Sequence, residues 1–204
     1  MGLVAIIDYG VGNLRSVEKA LNAANCSAIV TSDEQVLLKA DALVLPGVGA
    51  FRSCMQGLHS RGFDELVCQR VAEGVHLLGV CVGMQMLFEE SEEFGNSKGL
   101  GLLRGGVRRF GNDLRVPHVG WNQVRQNARH PLLSGIDNGA FFYFVHSYYC
   151  DSPDDECVIG ETDYGESYAS VVARGRVCGV QFHPEKSQLS GLRLLENFAR
   201  QIDL

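Results

Sequence analysis

Short apolar segments alternate with amphipathic segments through the first half of the chain. Leu14, Val17, Leu21 and Ala24 recur at spacings of three, four and three residues, which predicts a helix with one buried face. The alternation itself predicts a parallel sheet that is covered by helices on both faces. The predicted strands are 3–8, 28–31, 42–46 and 75–80, and further helices are predicted over 63–74 and 83–91.

The second half of the chain follows a different pattern. Between residues 100 and 182, short β-like runs are separated by Gly, Asn and Asp, which predicts antiparallel strands added to the sheet. The runs are VRRF, NQVRQ, AFFYFVHSYYC, CVIGET, YASVVA and RVCGVQF. An amphipathic segment over 188–202 predicts a final helix, and its apolar face carries Leu189, Leu192, Leu195, Phe198 and Ile202.

These patterns predict one fold class. It is an α/β fold with a doubly wound, mostly parallel central sheet flanked by helices and extended by antiparallel strands in the C-terminal half. The sequence contains no internal repeat and no low-complexity linker. Residues 1–204 are therefore predicted to form a single domain.

Composition narrows the classes of function. The chain has 204 residues, of which 46% are hydrophobic and 21% charged, and its net charge of −6 argues against a nucleic-acid partner. Its apolar runs are too short to span a bilayer, and its N-terminal segment resembles a first strand more than a signal peptide. We therefore expect a cytoplasmic protein without membrane contact. Seven cysteines without a C-x-x-C pair argue against a metal site or a disulfide framework.

One cysteine lies in an unusual pattern. Cys81 is flanked by Gly79 and Gly83, after the predicted strand 75–80 and before a predicted helix. Ligands of α/β sheets bind at the carboxyl ends of strands, and small flanking residues tolerate the sharp turn of a nucleophile elbow. The helix N-terminus would favour the thiolate and offer N–H groups to an oxyanion. This pattern predicts a nucleophile, and a structural cysteine in a glycine-rich turn is the alternative.

Two further segments offer the groups that such a nucleophile needs. In GVQFHPEKS (179–187), a strand ends before His183, and Glu185 can accept a hydrogen bond from the histidine ring. A surface His–Glu pair is the alternative for this motif. The loop PGVGAF (46–51) follows another strand, and its glycines allow backbone N–H groups to turn toward a ligand near Cys81.

In this order, the three segments resemble the triad family of glutamine amidotransferases, which has an oxyanion loop, a G-x-C-x-G elbow and a C-terminal H-P-E motif. The similarity extends over about residues 3–200. Within that family, three more segments are similar to the glutaminase subunits of imidazole glycerol phosphate synthase. They are DYGVGNLRSV (8–17), PHVGWN (117–122) and YFVHSYY (143–149).

The resemblance implies a role for each matching residue. Cys81 would attack the side-chain amide of glutamine, His183 would shuttle protons, and Glu185 would hold the His183 ring. The implied oxyanion donors are the backbone N–H groups of Val48 and Val82. The implied contacts to glutamine are Gly49, Gln85, Ser147 and Tyr148. The residues implied to lie at or near a partner interface are Asn13, Trp121, Tyr143 and Lys186.

The resemblance also implies a reaction and a partner. Glutamine would be hydrolysed to glutamate and ammonia through a cysteine thioester, without a cofactor. The ammonia would pass to a (β/α)8-barrel cyclase subunit in a heterodimer that makes imidazole glycerol phosphate and an aminoimidazole carboxamide ribotide in histidine biosynthesis. The alternatives are a glutaminase subunit serving pyridoxal phosphate, anthranilate or purine synthesis, and an inactive regulatory scaffold. His118 and His146 are left outside the predicted triad.

Overall fold

The computed structural model describes residues 2–111, 113–153 and 155–202. This part of the chain contains six α-helices and thirteen strands. The helices are α1 (Leu14–Ala23), α2 (Glu34–Lys39), α3 (Phe51–His59), α4 (Phe63–Ala72), α5 (Val82–Gln85) and α6 (Gln188–Ile202). The strands are β1 (Leu3–Ile7), β2 (Ser27–Thr31), β3 (Ala42–Gly47), β4 (His76–Cys81), β5 (Glu90–Ser91), β6 (Ser97–Lys98), β7 (Gly106–Arg109), β8 (His118–Gln126), β9 (Ala140–His146), β10 (Tyr148–Asp151), β11 (Val158–Asp163), β12 (Ser167–Arg174) and β13 (Val177–Val180).

Parallel strands form the centre of the sheet, in the order β2–β1–β3–β4–β13. β3 and β13 are buried along their whole length, and β4 is buried after His76. Strands that are buried on both faces need helices on both sides. Accordingly, α1 packs against α6, while α4 packs against α2 and α3. The predicted α/β fold with a central sheet flanked by helices is confirmed.

The C-terminal half extends this sheet with antiparallel strands, as predicted. β12 pairs with β13, and β10 and β7 follow it antiparallel. β11 pairs with both β12 and β8, and β8 pairs with β9. The run AFFYFVHSYYC divides into β9 and β10 around Ser147, because the chain changes its partner there from β8 to β7.

The helix predicted over 83–91 is wrong in its extent. α5 ends at Gln85 after about one turn, and the short strand β5 follows. Residues 86–88 are fully buried, so this segment has no solvent-facing side. All three of their carbonyls instead accept hydrogen bonds, from the N–H groups of Leu100, Gly101 and Leu103. A neighbouring loop thus satisfies the backbone groups that a longer helix would have paired internally.

The final helix has its predicted bounds, but the prediction placed one of its leucines on the wrong face. Leu189 is 82% exposed, whereas Leu195 and Phe198 are fully buried. The cause lies in the first turn, where Gly191 packs so closely that a Cβ atom would lie 2.0 Å from the carbonyl oxygen of Pro184. The face toward the core therefore contains residue 191, and Leu189, two positions earlier, points away from it.

α2 and α3 are absent from the sequence prediction. α2 has six residues, of which only Leu37 is buried, so it offers too little periodicity to be found. α3 buries Phe51, Cys54 and Leu58 at helical spacing, and this signal was available in the sequence. None of the helices in the described residues combines the length and the apolarity that a bilayer span requires.

Candidate active site

The turn from β4 into α5 places Cys81 at the carboxyl end of the central sheet. Cys81 has φ 57° and ψ −116°, a conformation that non-glycine residues rarely adopt. Its neighbouring glycines are required by close backbone packing. A Cβ atom on Gly83 would lie 1.8 Å from the Leu45 carbonyl oxygen, and one on Gly79 would lie 2.6 Å from the Gly83 carbonyl oxygen. The G-x-C-x-G pattern is thus a strained strand-to-helix elbow.

Parallel pairing of β13 with β4 brings the H-P-E motif beside this elbow. The pairing aligns Val180 with Val80, so the residues that leave β13 lie next to those that leave β4. Nδ1 of His183 lies 2.9 Å from Oε1 of Glu185, and the two side chains are 7% and 1% exposed. The Cys81, His183 and Glu185 side chains, predicted from separate motifs, therefore meet in one buried site.

The electrostatics of the site keep His183 protonated. Burial by itself would lower the pKa of His183, but a hydrogen bond with Cys81 and the bond with Glu185, together with the charges of both groups, outweigh it. The pKa rises from 6.5 to about 10. At neutral pH the imidazole therefore carries a proton that it can give to a leaving group.

A cavity of about 380 Å³ opens onto the Cys81 sulfur. This is large enough for a small amino acid. The glycine-rich loop after β3 and the chain around Ser147, between β9 and β10, both contribute to its lining. Among the lining residues are all the predicted oxyanion and glutamine contacts: Val48, Gly49, Val82, Gln85, Ser147 and Tyr148.

Gln181 is a buried site residue that the sequence analysis missed. Its Nε2 lies 3.9 Å from the Cys81 sulfur, and its Oε1 accepts a hydrogen bond of 3.0 Å from Gln85 Nε2. Gln85 Nε2 also donates to the Tyr148 carbonyl at 2.9 Å. Both amide protons of Gln85 are thus used internally, which leaves its carbonyl oxygen for a ligand. The available signal was a glutamine inside the apolar run that ends at Phe182.

Glu93 also lines the cavity and was not predicted. Its Oε2 accepts a hydrogen bond of 2.6 Å from the backbone N–H of Phe51, at the start of α3. Lys186 lines the same cavity. A carboxylate and an ammonium group in one small cavity suit a zwitterionic ligand. No local motif marks Glu93, because the fold of residues 86–93 brings it to the site.

The four predicted interface residues lie along one strip beside the triad. Asn13 Nδ2 donates to Glu185 Oε1 at 3.5 Å. Lys186 Nζ lies 5.8 Å from the centre of the Tyr143 ring, and the Tyr143 ring packs edge-on against Trp121, which is 46% exposed. The Tyr143 carbonyl accepts the His183 backbone N–H at 2.9 Å. The strip therefore connects the surface directly to the Glu185 side chain and the His183 backbone.

In the described part of the chain, no set of three or more His, Cys, Asp and Glu side chains is arranged to hold an ion. His118 and His146 lie close to the cavity, buried against each other, and His146 contributes to its lining.

A nucleophile elbow, a histidine–carboxylate pair and a glycine-rich loop around one cavity are the parts of a cysteine acyl-transfer site. The family model of class-I glutamine amidotransferases matches residues 5–202. The chain belongs to the class-I glutamine amidotransferases. Its match to that family spans every element from β1 to α6.

Similar proteins indicate which group of class-I glutamine amidotransferases this chain resembles. The chain is 49% identical to a protein of Syntrophotalea carbinolica, covering 96% of this chain and 98% of that protein. It is 50% identical to a protein of Methylococcus capsulatus, covering 98% and 97%. It is 49% identical to one of Bacillus cereus, covering 96% and 93%. All three are named imidazole glycerol phosphate synthase subunit HisH.

Solved structures share the fold of this amidotransferase. A crystal structure of a glutamine amidotransferase superposes with a TM-score of 0.78 at 23% identity, covering all of both chains. A chain of the PurLQS complex from Thermotoga maritima superposes with a TM-score of 0.71 at 18% identity, covering 98% of this chain and 99% of that one.

Proposed function

We propose that this amidotransferase is the glutaminase subunit of an imidazole glycerol phosphate synthase, formed as one domain over residues 1–204. It releases ammonia from glutamine and passes it to a (β/α)8-barrel cyclase subunit in histidine biosynthesis. The observation that carries the chemistry is the contact between Cys81 and a protonated, Glu185-bound His183 in the amino-acid-sized cavity. The near-full-length similarity to HisH subunits supports the pathway.

The proposed reaction proceeds in two steps. The Cys81 sulfur attacks the carboxamide carbon of glutamine, and an oxyanion develops on the amide oxygen. His183 gives its proton to the nitrogen, the C–N bond breaks, and ammonia leaves a thioester. His183 then takes a proton from water as the water oxygen attacks the thioester carbon. The C–S bond breaks to give glutamate, and the sulfur with its protonated partner is restored.

The proposed oxyanion donors are backbone N–H groups of the first residue of α5 and of the glycine-rich loop after β3. The N–H group of Val82 follows the nucleophile directly, and Val48 lies in the glycine-rich loop across the cavity. Loss of one such donor lowers kcat by about 10²–10³. Gly49 has φ 83° and a Cβ position in open space, so the loop that carries Val48 has room to change its backbone direction.

The cavity also fits the rest of the substrate. Glu93 is placed to receive the α-ammonium group of glutamine, and Lys186 offers an opposite charge to its α-carboxylate. The free carbonyl oxygen of Gln85 accepts a hydrogen bond from the substrate, with Gly49 and the Ser147–Tyr148 backbone completing the contacts.

The strip of Asn13, Trp121, Tyr143 and Lys186 is the proposed docking surface for the cyclase. Its aromatic residues, Trp121 and Tyr143, are of the types that contribute most of the binding energy at protein interfaces. Because Asn13 touches Glu185 and Tyr143 touches the His183 backbone, the barrel would dock next to the site where ammonia is released.

The test is glutamate release from glutamine by the chain alone and with a (β/α)8 cyclase subunit and its ribulosyl phosphate substrate. We expect strong stimulation by the cyclase and its substrate, and none from the corresponding pyridoxal phosphate, anthranilate or purine synthase partners. Cys81→Ala should abolish hydrolysis and still bind the cyclase. Stimulation by another synthase partner would reassign the pathway, and hydrolysis by Cys81→Ala would remove Cys81 as the nucleophile.

A further inference from the structure

A row of buried polar groups runs from strand β8 to the wall of the cavity. Asn122 Nδ2 lies 3.4 Å from His118 Nε2, His118 Nδ1 lies 3.1 Å from His146 Nε2, and His146 Nδ1 lies 2.9 Å from the Tyr148 carbonyl oxygen. His118 and His146 are 4% and 6% exposed. The catalytic steps proposed above use neither histidine. We call this row the Asn122–His118–His146 chain.

The proton positions in this chain follow from its two ends. A carbonyl oxygen only accepts, so His146 must carry its proton on Nδ1 and present a lone pair at Nε2. At the other end, Asn122 Nδ2 donates a hydrogen bond to the Asp163 carbonyl at 2.9 Å. This bond identifies the atom as the amide nitrogen, so the Asn122 group that faces His118 Nε2 is a donor. His118 therefore accepts at Nε2 and donates from Nδ1. All the hydrogen bonds point toward Tyr148.

The Tyr148 carbonyl depends on these side chains for its direction. Tyr148 and Arg109 face each other in β10 and β7 as a non-hydrogen-bonded pair, because the Phe110 N–H goes to the Ser147 carbonyl. The Arg109 N–H goes to Glu92 at 2.7 Å. The Tyr148 oxygen instead accepts from His146 and from Gln85. At this non-hydrogen-bonded position the carbonyl points away from β7, so the Tyr148 oxygen has no partner in that strand.

We infer that the Asn122–His118–His146 chain is a positioning device that fixes the Tyr148 carbonyl and, through it, the orientation of the Gln85 amide in the glutamine-binding cavity. The inference rests on the proposed glutaminase function. Gln85 is held at two points, the Tyr148 oxygen and Gln181 Oε1. If the Tyr148 peptide turns, the first point is lost and the Gln85 carbonyl no longer faces the substrate in a fixed direction.

Matched variants of His146 separate this role from simple packing. His146→Asn keeps an N–H donor at the Nδ1 position, whereas His146→Gln moves the amide to the far end of the ring and leaves the Tyr148 oxygen without that donor. We expect His146→Gln to raise KM for glutamine about 5- to 30-fold with kcat nearly unchanged, as loss of one buried hydrogen bond would. His146→Asn keeps the donor to the Tyr148 oxygen but loses the link to His118, so it should raise KM less than His146→Gln does.

His118 provides a second pair and Tyr168 a control. His118→Asn preserves the Nδ1 donor, and His118→Gln removes it, so only the second should raise KM. The Tyr168 hydroxyl lies 3.1 Å from the same His146 nitrogen, so Tyr168→Phe affects only the far side of the ring and keeps the donor to the Tyr148 oxygen. Tyr168→Phe should therefore raise KM less than His146→Gln does. Circular dichroism of each variant checks its fold.

The experiment measures glutamine kinetics of the complex with its cyclase, together with alkylation of Cys81 by a diazoketone analogue of glutamine and by iodoacetamide. His146→Gln should slow the reaction with the glutamine analogue and leave iodoacetamide alkylation unchanged. Equal losses in both His146 variants, or an unchanged KM in His146→Gln, overturns the positioning role. A wild-type complex that releases no glutamate overturns the proposed function instead, so the two failures are distinct.

Discussion

At the scale of residues, the site combines a strained backbone conformation at Cys81 with a stabilised positive charge on His183. The left-handed conformation of Cys81 costs about 1–3 kcal/mol, and it persists because the packed glycines on either side leave the turn no alternative. His183 retains its proton through its contacts with the Cys81 sulfur and the Glu185 carboxylate, despite its burial. The strained turn thus holds the Cys81 sulfur beside a histidine that is already protonated.

His146 shows the opposite behaviour and predicts an acid sensitivity of the fold. Burial lowers the pKa of His146 from 6.5 to about 3. The charges of His118 and His183 contribute to this shift in pKa, and the hydrogen bond to Tyr148 opposes it. Between these two values the unfolded chain binds a proton here that the folded protein does not. As the pH decreases from about 6.5 to about 3, this residue should therefore lower the free energy of unfolding by up to about 1.4 kcal/mol per pH unit.

Denaturant unfolding of wild type and His146→Asn between about pH 7 and about pH 4 measures this contribution. The variant lacks the titrating ring, so its stability should decline less steeply over that range. Parallel pH dependences in the two proteins would mean that His146 is not held neutral in the fold.

At the scale of elements, the nucleophile is positioned by the close approach of α5 to β3. Gly47 of β3 pairs with Cys81 of β4, and its Cβ position lies 2.6 Å from the Gly83 backbone nitrogen. The sequence analysis found the elbow from its local glycine pattern. It overestimated the helix that follows, because the loop that caps residues 86–88 is distant in sequence.

The elbow predicts that a substitution that normally stabilises a helix will destabilise this protein. In an ordinary helix, Gly→Ala stabilises by about 1 kcal/mol. Gly83→Ala should instead destabilise the protein by about 3 kcal/mol or more and abolish activity, because the new methyl group overlaps the Leu45 carbonyl oxygen.

Denaturant midpoints measure this effect. Gly111→Ala is the control, since its Cβ position lies in open space and its φ is not positive. If Gly83→Ala were as stable as Gly111→Ala, the close packing of the elbow against β3 would be incorrect.

At the scale of the whole molecule, the sheet order determines which distant segments meet. Parallel β3, β4 and β13 are neighbours, so the loop after β3, the elbow after β4 and the H-P-E motif after β13 all leave the same edge. The antiparallel branch of β8 and β9 adds the aromatic strip beside them. The site and the proposed docking surface are therefore products of one sheet topology.

The docking surface predicts a specific loss of partner affinity. Trp121→Ala removes an exposed aromatic anchor that packs on Tyr143, and it should weaken binding of the cyclase at least about 30-fold. Ile29→Ala is the matched control, because Ile29 is similarly exposed, at 42%, but lies on the edge strand β2. Titration calorimetry with the cyclase measures both. Equal affinities would place the cyclase elsewhere.

The sequence by itself determined the α/β alternation, the final helix and the motifs of Cys81, His183 and Glu185. These features depend on residues that are close in the chain, so periodicity and glycine spacing reveal them. Only the tertiary structure decided the length of α5, the exposure of Leu189, and the positions of Gln181, Glu93 and the paired histidines at the cavity. Each of these depends on contacts between segments far apart in sequence: Leu100 with Met86, Gln181 with Gln85, and His118 with His146. Such contacts exist only after the sheet has assembled, and no local pattern encodes them.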